Sequence, residues 1–183
     1  RRMYRDGLLV AQDVASANFA GTGPLTIGQH TPPYFFKGGL DDIRIWKGAA
    51  LDATTIRDWM FKEVDSTHPD FASLDGYWKF NEGDGAVAMD SSGHGRDGTI
   101  LEGAVWQDGA RPALTQSTTL ALVSGTNSVL NLDGKSGYVD VPDGVWFNGD
   151  FTVEFNVFVR RYSVYASFLD FGNGPAADNV LVA

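Results

Sequence analysis

The run from Met89 to Ile100, MDSSGHGRDGTI, concentrates groups that could do chemistry. Asp90 and Asp97 supply carboxylates, Ser91 and Ser92 hydroxyls and His94 an imidazole, with Gly93, Gly95 and Gly98 set among them. Ca²⁺ is held by roughly six to eight oxygens drawn from carboxylates, backbone carbonyls and water. Glycines reach positive φ and so can turn several carbonyls inward within a tight loop. The segment therefore reads in two ways. It is a calcium loop, with Asp90, Asp97 and the backbone carbonyls at His94 and Asp97 as ligands, or an Asx-turn over Asp90-Ser91-Ser92-Gly93 with no metal. The imidazole of His94 is a poor ligand for an ion that prefers oxygen.

Other reactive groups are scattered. A glycosidase needs two carboxylates about 5–9.5 Å apart. Glu154 and Asp150 flank one strand without a third acidic partner, Glu82 lies in a turn, and all three read as solvated strand and turn acids. His30, His68 and His94 all sit in turn-like contexts with no spacing that suggests a triad. The expectation is a protein that is not an enzyme. Aromatic rings offer a binding chemistry instead, because sugars stack on exposed rings flanked by polar groups. Tyr34, in TPPYFFKGG, is the best such ring, since adjacent rings cannot all face inward on an extended chain. Trp106 and Trp146, near turns, are the further candidates, each against the alternative of a core ring. Arg160, Arg161 and Tyr162 could meet an anionic glycan or form a solvated loop.

The 183 residues carry a net charge of −9. That sign repels a phosphate backbone and anionic lipid, which argues against nucleic acid and membrane insertion as partners and leaves cations and neutral sugars. There is no cysteine, which removes disulfides, thiolate zinc sites and cysteine nucleophiles. No apolar run approaches the ~18 residues of a membrane span. Both ends fall inside strand-like patterns, so the chain reads as part of something longer.

Short alternating runs punctuated by glycine and aspartate predict many strands and few helices. RMYRDGLLVAQ reads as a hairpin turning at Asp6-Gly7. GPLTIGQ places Leu25 and Ile27 on one side. DIRIW, Asp42 to Trp46, reads as a half-buried strand. LDATTIRDWM then changes period, with Asp52 as N-cap and Ile56, Trp59 and Met60 on one helical face. DSTHPDFASLDG is the linker candidate. Beyond it, Phe151, Val153, Phe155, Val157 and Val159 form one strongly apolar strand face, and the chain closes with a strand, a glycine loop and a further strand. The predicted class is all-β, a two-sheet antiparallel sandwich with one short helix after a long strand.

Three blocks together resemble the bacterial laminin-G-like, concanavalin-A-like jelly-roll family. LDGYWKFNEGDGAVAMDSSGHGRDGTI is similar to the family's opening strand and first loop, and NSVLNLDGKSGYVDVPDG with FTVEFNVFVR to the strands that follow. FKGGLDDIRIWKGAALDATTIRDWM resembles its closing strand and short helix, with RMYRDGLLVA resembling the pair before it. The closing blocks come first. A tandem array, cut so that one repeat ends near Val64 and the next begins near Leu74, accounts for this order, and so does a circular permutation. The corresponding division is 1–65 as the C-terminal half of one jelly roll, 66–74 as linker and 75–183 as the N-terminal part of another, with the two able to complement each other as one sandwich. The resemblance implies a structural calcium site in which Asp41 or Asp42 of the closing strand joins Asp90. It also implies a non-catalytic module, secreted or at the cell surface, that binds carbohydrate or mediates adhesion to a glycan or cell-surface protein. The competing expectations are a spacer or fibre-forming repeat that pairs with a neighbouring repeat or subunit, and an accessory domain of, or diverged, glycoside hydrolase.

Overall fold

The computed structural model describes residues 1–14, 22–30, 32–109, 112–113, 121–122, 127–147, 149–172 and 180–182; the glycine loop expected after Phe171 falls largely outside them. In chain order the strands are β1 (Arg2–Arg5), β2 (Leu8–Gln12), β3 (Leu25–Ile27), β4 (Lys37–Lys47), β5 (Leu74–Trp78), β6 (Val87–Ala88), β7 (Gly98–Leu101), β8 (Val105–Gly109), β9 (Pro112–Ala113), β10 (Ala121–Leu122), β11 (Asn127–Asp133), β12 (Tyr138–Val141), β13 (Phe151–Arg161), β14 (Leu169–Phe171) and β15 (Val180–Val182). The helix α1 (Ala53–Trp59) follows β4, and Asp52 caps it by accepting from the Thr54 and Thr55 amides at 2.8 Å each. All strand pairs are antiparallel, and the chain forms the two-sheet sandwich expected from its patterning.

One sheet runs β13-β4-β11-β8, with β5 also on β4; the other runs β15-β14-β3-β12-β7-β6. Alternation sets the core between them. Leu25, Ile27, Val139, Val141, Leu169 and Phe171 point inward from the second sheet and meet Leu40, Ile43, Ile45, Leu130 and Leu132 from the first. Each such aliphatic side chain, fully withdrawn from water, contributes about 1.5–3 kcal/mol.

The longest strand, β4, organises the first sheet. β13 pairs along one edge from Lys47↔Phe151 to Lys37↔Arg161. The other edge is shared: Lys37 to Leu40 pair with β11, and Ile43 to Trp46 pair with β5. Between those two stretches lie Asp41 and Asp42. Asp42 has φ +52, and the register with β13 shifts at this point, so the strand is bulged. Strict alternation would place Leu40 and Ile43 on opposite faces. The bulge returns both to the core, with the Asp42 carboxylate turned to the outer layer, where it meets the Tyr77 hydroxyl.

The half-buried strand expected at Asp42–Trp46 is thus part of an eleven-residue strand buried on both faces from Gly38 to Trp46. Its outer face is covered by a second apolar layer of Trp46, Leu51, Ile56, Val64, Leu74 and Tyr77, with Tyr4 and Ala49 against it. The β1–β2 hairpin turns through Asp6 at φ +52 and Gly7 at φ +72, the two positive values a type I′ turn requires. Val157, expected on the apolar face of β13, is 41% exposed, while Phe151, Val153, Phe155 and Val159 are partly buried against the core.

At Gly38 the β4 backbone leaves no room for a side chain against β13. A Cβ there would lie 2.2 Å from the Phe158 carbonyl oxygen and 2.5 Å from the Phe36 ring. Gly38→Ala is expected to destabilise the chain by about 1–3 kcal/mol, read as a lower urea midpoint at unchanged slope.

Candidate functional site

The Asp90 loop is built as a turn. Asp90 Oδ1 accepts from the Tyr77 amide at 3.0 Å and the Ser92 amide at 2.9 Å. Its Oδ2 accepts from Ser92 Oγ at 2.9 Å and the Arg96 amide at 3.0 Å. These four donors use the roughly four acceptor positions of an ionised carboxylate. Burial pushes the Asp90 carboxyl up, but the amides of Arg96, Ser92 and Tyr77 together outweigh it and hold the group below the usual carboxylate range. Asp97 Oδ1 accepts from the Asp90 amide at 2.8 Å, and exposed His94 meets Ser92 Oγ through Nδ1 at 3.2 Å.

Asp42 lies elsewhere. Its Oδ1 accepts from the Tyr77 hydroxyl at 2.9 Å, whereas Asp90 takes the amide of that same tyrosine. The two aspartates therefore bind opposite ends of one residue and do not converge. Asp41 is buried beside Asp42 on β4. Among the described residues, no group of three or more His, Cys, Asp or Glu is placed to hold a metal, and Asp90 and Asp42 are each committed to hydrogen bonds of their own. The loop carries its own cation. Arg96 donates to the Asp75 carbonyl at 2.7 Å and pairs with the Asp75 carboxylate. Its guanidinium lies 4.6 Å over the Trp146 ring, and its carbonyl accepts from the Trp78 indole at 3.0 Å. Neither Asp75 nor Arg96 stood out in the sequence.

Two of the three expected ligand rings are structural. Trp146 is 1% exposed between Trp78 and Phe171, so it offers no face to a sugar. Trp106 packs partly buried against the core, and its indole N–H donates to the Gly85 carbonyl at 2.9 Å. Glu154 is likewise committed, 3.5 Å from the Arg44 guanidinium, although burial still pushes its carboxyl up. Glu82 accepts from the Met89 amide at 2.8 Å.

Tyr34 stands where a surface can form. It belongs to the β3–β4 connection, which folds back through a bridge of Gln29 with Phe35 and a bond from the His30 amide to the Tyr34 carbonyl at 3.1 Å. The β13–β14 loop lies against it: the Gly28 amide donates to the Phe168 carbonyl at 2.7 Å, and Phe36 meets Phe168 edge-on at 4.9 Å. Tyr165, 69% exposed, packs edge-on against Tyr34 at 5.2 Å. His30 also stacks on the Tyr34 ring, at 6.5 Å, and its Nδ1 meets Asp170 Oδ2 at 2.8 Å.

Strand register extends this cluster across the outer face of the second sheet. Asp170 of β14 stands opposite Thr26 of β3, which stands opposite Asp140 of β12, which stands opposite Thr99 of β7. Tyr138, two residues before Asp140, lies on the same face and meets Phe35 at 6.4 Å. Partial burial of its carboxyl and the neighbouring Asp143 push Asp140 above the ordinary carboxylate range. The face thus combines two carboxylates, two threonines, one imidazole and three tyrosines. Of these only Tyr34 was legible beforehand. The signal for Asp140 and Asp170 was alternation within YVDV and LDF, where each aspartate sits between inward-facing residues.

Comparison with family models, curated proteins and solved structures finds no significant match to this chain.

Two outcomes follow for the loop. Asp90→Ala removes an ionised acceptor of four hydrogen bonds and is expected to cost about 2–3 kcal/mol, seen as a lower Tm at pH 7. Because the Asp90 pKa is depressed on folding, its contribution is present above the unfolded aspartate value of about 3.9 and is lost as pH falls through the folded value. The wild-type Tm is expected to be the same with calcium and with EDTA; a calcium-dependent rise abolished by Asp90→Ala would mean that the loop opens to take the ion.

Proposed function

We propose that this chain is a non-catalytic recognition module whose ligand is a neutral glycan bound on the outer face of the second sheet. The observation that carries the reading is the Asp170–Thr26–Asp140 row flanked by Tyr34, Tyr138 and Tyr165. Carboxylates accept hydrogen bonds from adjacent sugar hydroxyls, and tyrosine rings take the C–H face of a pyranose while their hydroxyls stay wet. The two carboxylates and the overall charge of −9 favour neutral over sulfated or uronic sugars. Secretion or cell-surface display, and an adhesive role, rest on the resemblance to laminin-G-like modules.

A second reading, a repeat that assembles with its neighbours, has one observation in its favour. The β1–β2 hairpin forms its own two-stranded sheet, with Met3, Leu8, Leu9 and Val10 between 49% and 63% exposed. Sedimentation separates the two, since assembly predicts a mass that grows with concentration.

A glycan array followed by calorimetry tests the main reading. Tyr165→Ala and Asp140→Asn are each expected to weaken binding of the best neutral ligand at least ten-fold with Tm little changed. Retention by both variants, or preference for sulfated glycans, contradicts it.

A further inference from the structure

His68 has no part in the surface described above. Its side chain is buried, 3% exposed, and its ring lies between two indoles, stacked on Trp46 of β4 at 5.3 Å and edge-on to Trp59 of α1 at 4.7 Å. Nδ1 accepts from the Asp70 amide at 3.0 Å, which puts the proton of the neutral ring on Nε2. That nitrogen is buried with no hydrogen-bond partner. The ring joins strand, helix and loop at one point.

We propose that the Trp46–His68–Trp59 stack is an acid-released latch, which holds α1 and residues 60–70 over the outer face of β4 while His68 is neutral and lets that cover lift when His68 is protonated.

The chemistry sets the direction. A proton on Nδ1 converts the acceptor of the Asp70 N–H into a second donor, so that bond cannot persist. The new charge sits in a dry site and is repelled by the Arg44 guanidinium from β4, with the Asp70 carboxylate as its attractive partner. Other charged groups of the covering segment are engaged otherwise, Glu63 with Lys79 at 2.9 Å. Asp65 accepts from the Thr67 amide and hydroxyl at 2.8 and 2.6 Å, and the Lys62 ammonium lies 5.2 Å over the Trp59 ring. From β5, Tyr77 is a phenol donating to Asp42. Burial lowers the His68 pKa, and Arg44 adds to this against the pull of Asp70.

The sign follows. A histidine whose folded pKa lies below its unfolded value of about 6.5 contributes fully above that pH. The contribution is lost as pH falls below it, because the unfolded or opened state takes the proton first. The hairpin moves with the cover, since its Gly7 packs against Arg57 and Met60 so closely that a Cβ would lie 2.4 Å from Arg57 Cγ.

Hydrogen exchange of the whole chain at pH 7.5 and pH 5.0, corrected for intrinsic rates, tests this. Exchange in peptides covering 53–70 is expected to rise at least ten-fold at pH 5.0 while β11 and β12 stay protected. His68→Phe, which keeps a ring between the indoles, is expected to abolish that rise. An NMR titration of the wild-type His68 ring needs no variant and is expected to show a midpoint below 6.5 that coincides with the exchange transition. No acid-dependent rise in 53–70, the same rise in His68→Phe, or a His68 midpoint at or above 6.5 would overturn the proposal.

Discussion

The Arg44 guanidinium is a cation enclosed between a β-sheet and the segment that covers it, 1% exposed. Its Nη1 donates to the Trp59 carbonyl at 3.0 Å and faces Glu154 at 3.5 Å. Nη2 donates to the Lys62 carbonyl and lies 3.7 Å from Asp42. The plane sits 5.3 Å from the Tyr77 ring centroid. A buried charge is tolerated only where partners replace its water. Here the replacements come from β4, β5, β13 and the end of α1, so one side chain ties four elements. The two carbonyls it binds, of Trp59 and Lys62, lie at the end of α1 and just beyond it, so the guanidinium pins the C-terminal end of this seven-residue helix to the sheet.

The rest of the outer layer follows from that constraint. With Arg44 in place, Trp46, Leu51, Ile56 and Val64 close over the sheet, and β4 becomes buried on both faces. Thr152 of β13 fixes the start of the cover by accepting from the Leu51 amide and donating to the Ala49 carbonyl at 2.9 and 3.0 Å. On the opposite sheet the outward residues differ in exposure among the described residues: Asp140 is exposed, whereas Asp170 is largely withdrawn beside His30. The two faces of the sandwich thus differ: one is sealed by a polar node under an apolar cap, and the other carries carboxylates, hydroxyls and rings.

Local pattern was the legible part of the sequence. The Asp6-Gly7 turn, the Asp52 cap and the inward set Leu25 and Ile27 depend on neighbours within a few residues, and each forms as its pattern demands. The bulge at Asp41-Asp42 could have been inferred from Leu40 and Ile43, both apolar yet three apart in a strand. What pattern alone does not carry is which distant groups meet. Arg96 with Asp75 is separated by 21 residues, Arg44 with Glu154 by 110, and His30 with Asp170 by 140. For the same reason the hydrogen bonds of the acidic loop were not legible, since counting carboxylates in a segment does not count the amides that fold back onto them. Trp146 near a turn and Tyr34 near a turn look alike in sequence, and only the packing of the two sheets decides which ring is enclosed.

The most direct measurement of the Arg44 constraint is urea unfolding of Arg44→Met at pH 7, paired with hydrogen exchange across α1. Methionine keeps much of the volume but leaves Asp42, Glu154 and two carbonyls without their cation. The account predicts a loss of about 3–5 kcal/mol, with residues 53–64 becoming the fastest-exchanging part of the chain. Stability within about 0.5 kcal/mol of wild type, the range of an ordinary surface substitution, with α1 still protected, would contradict it.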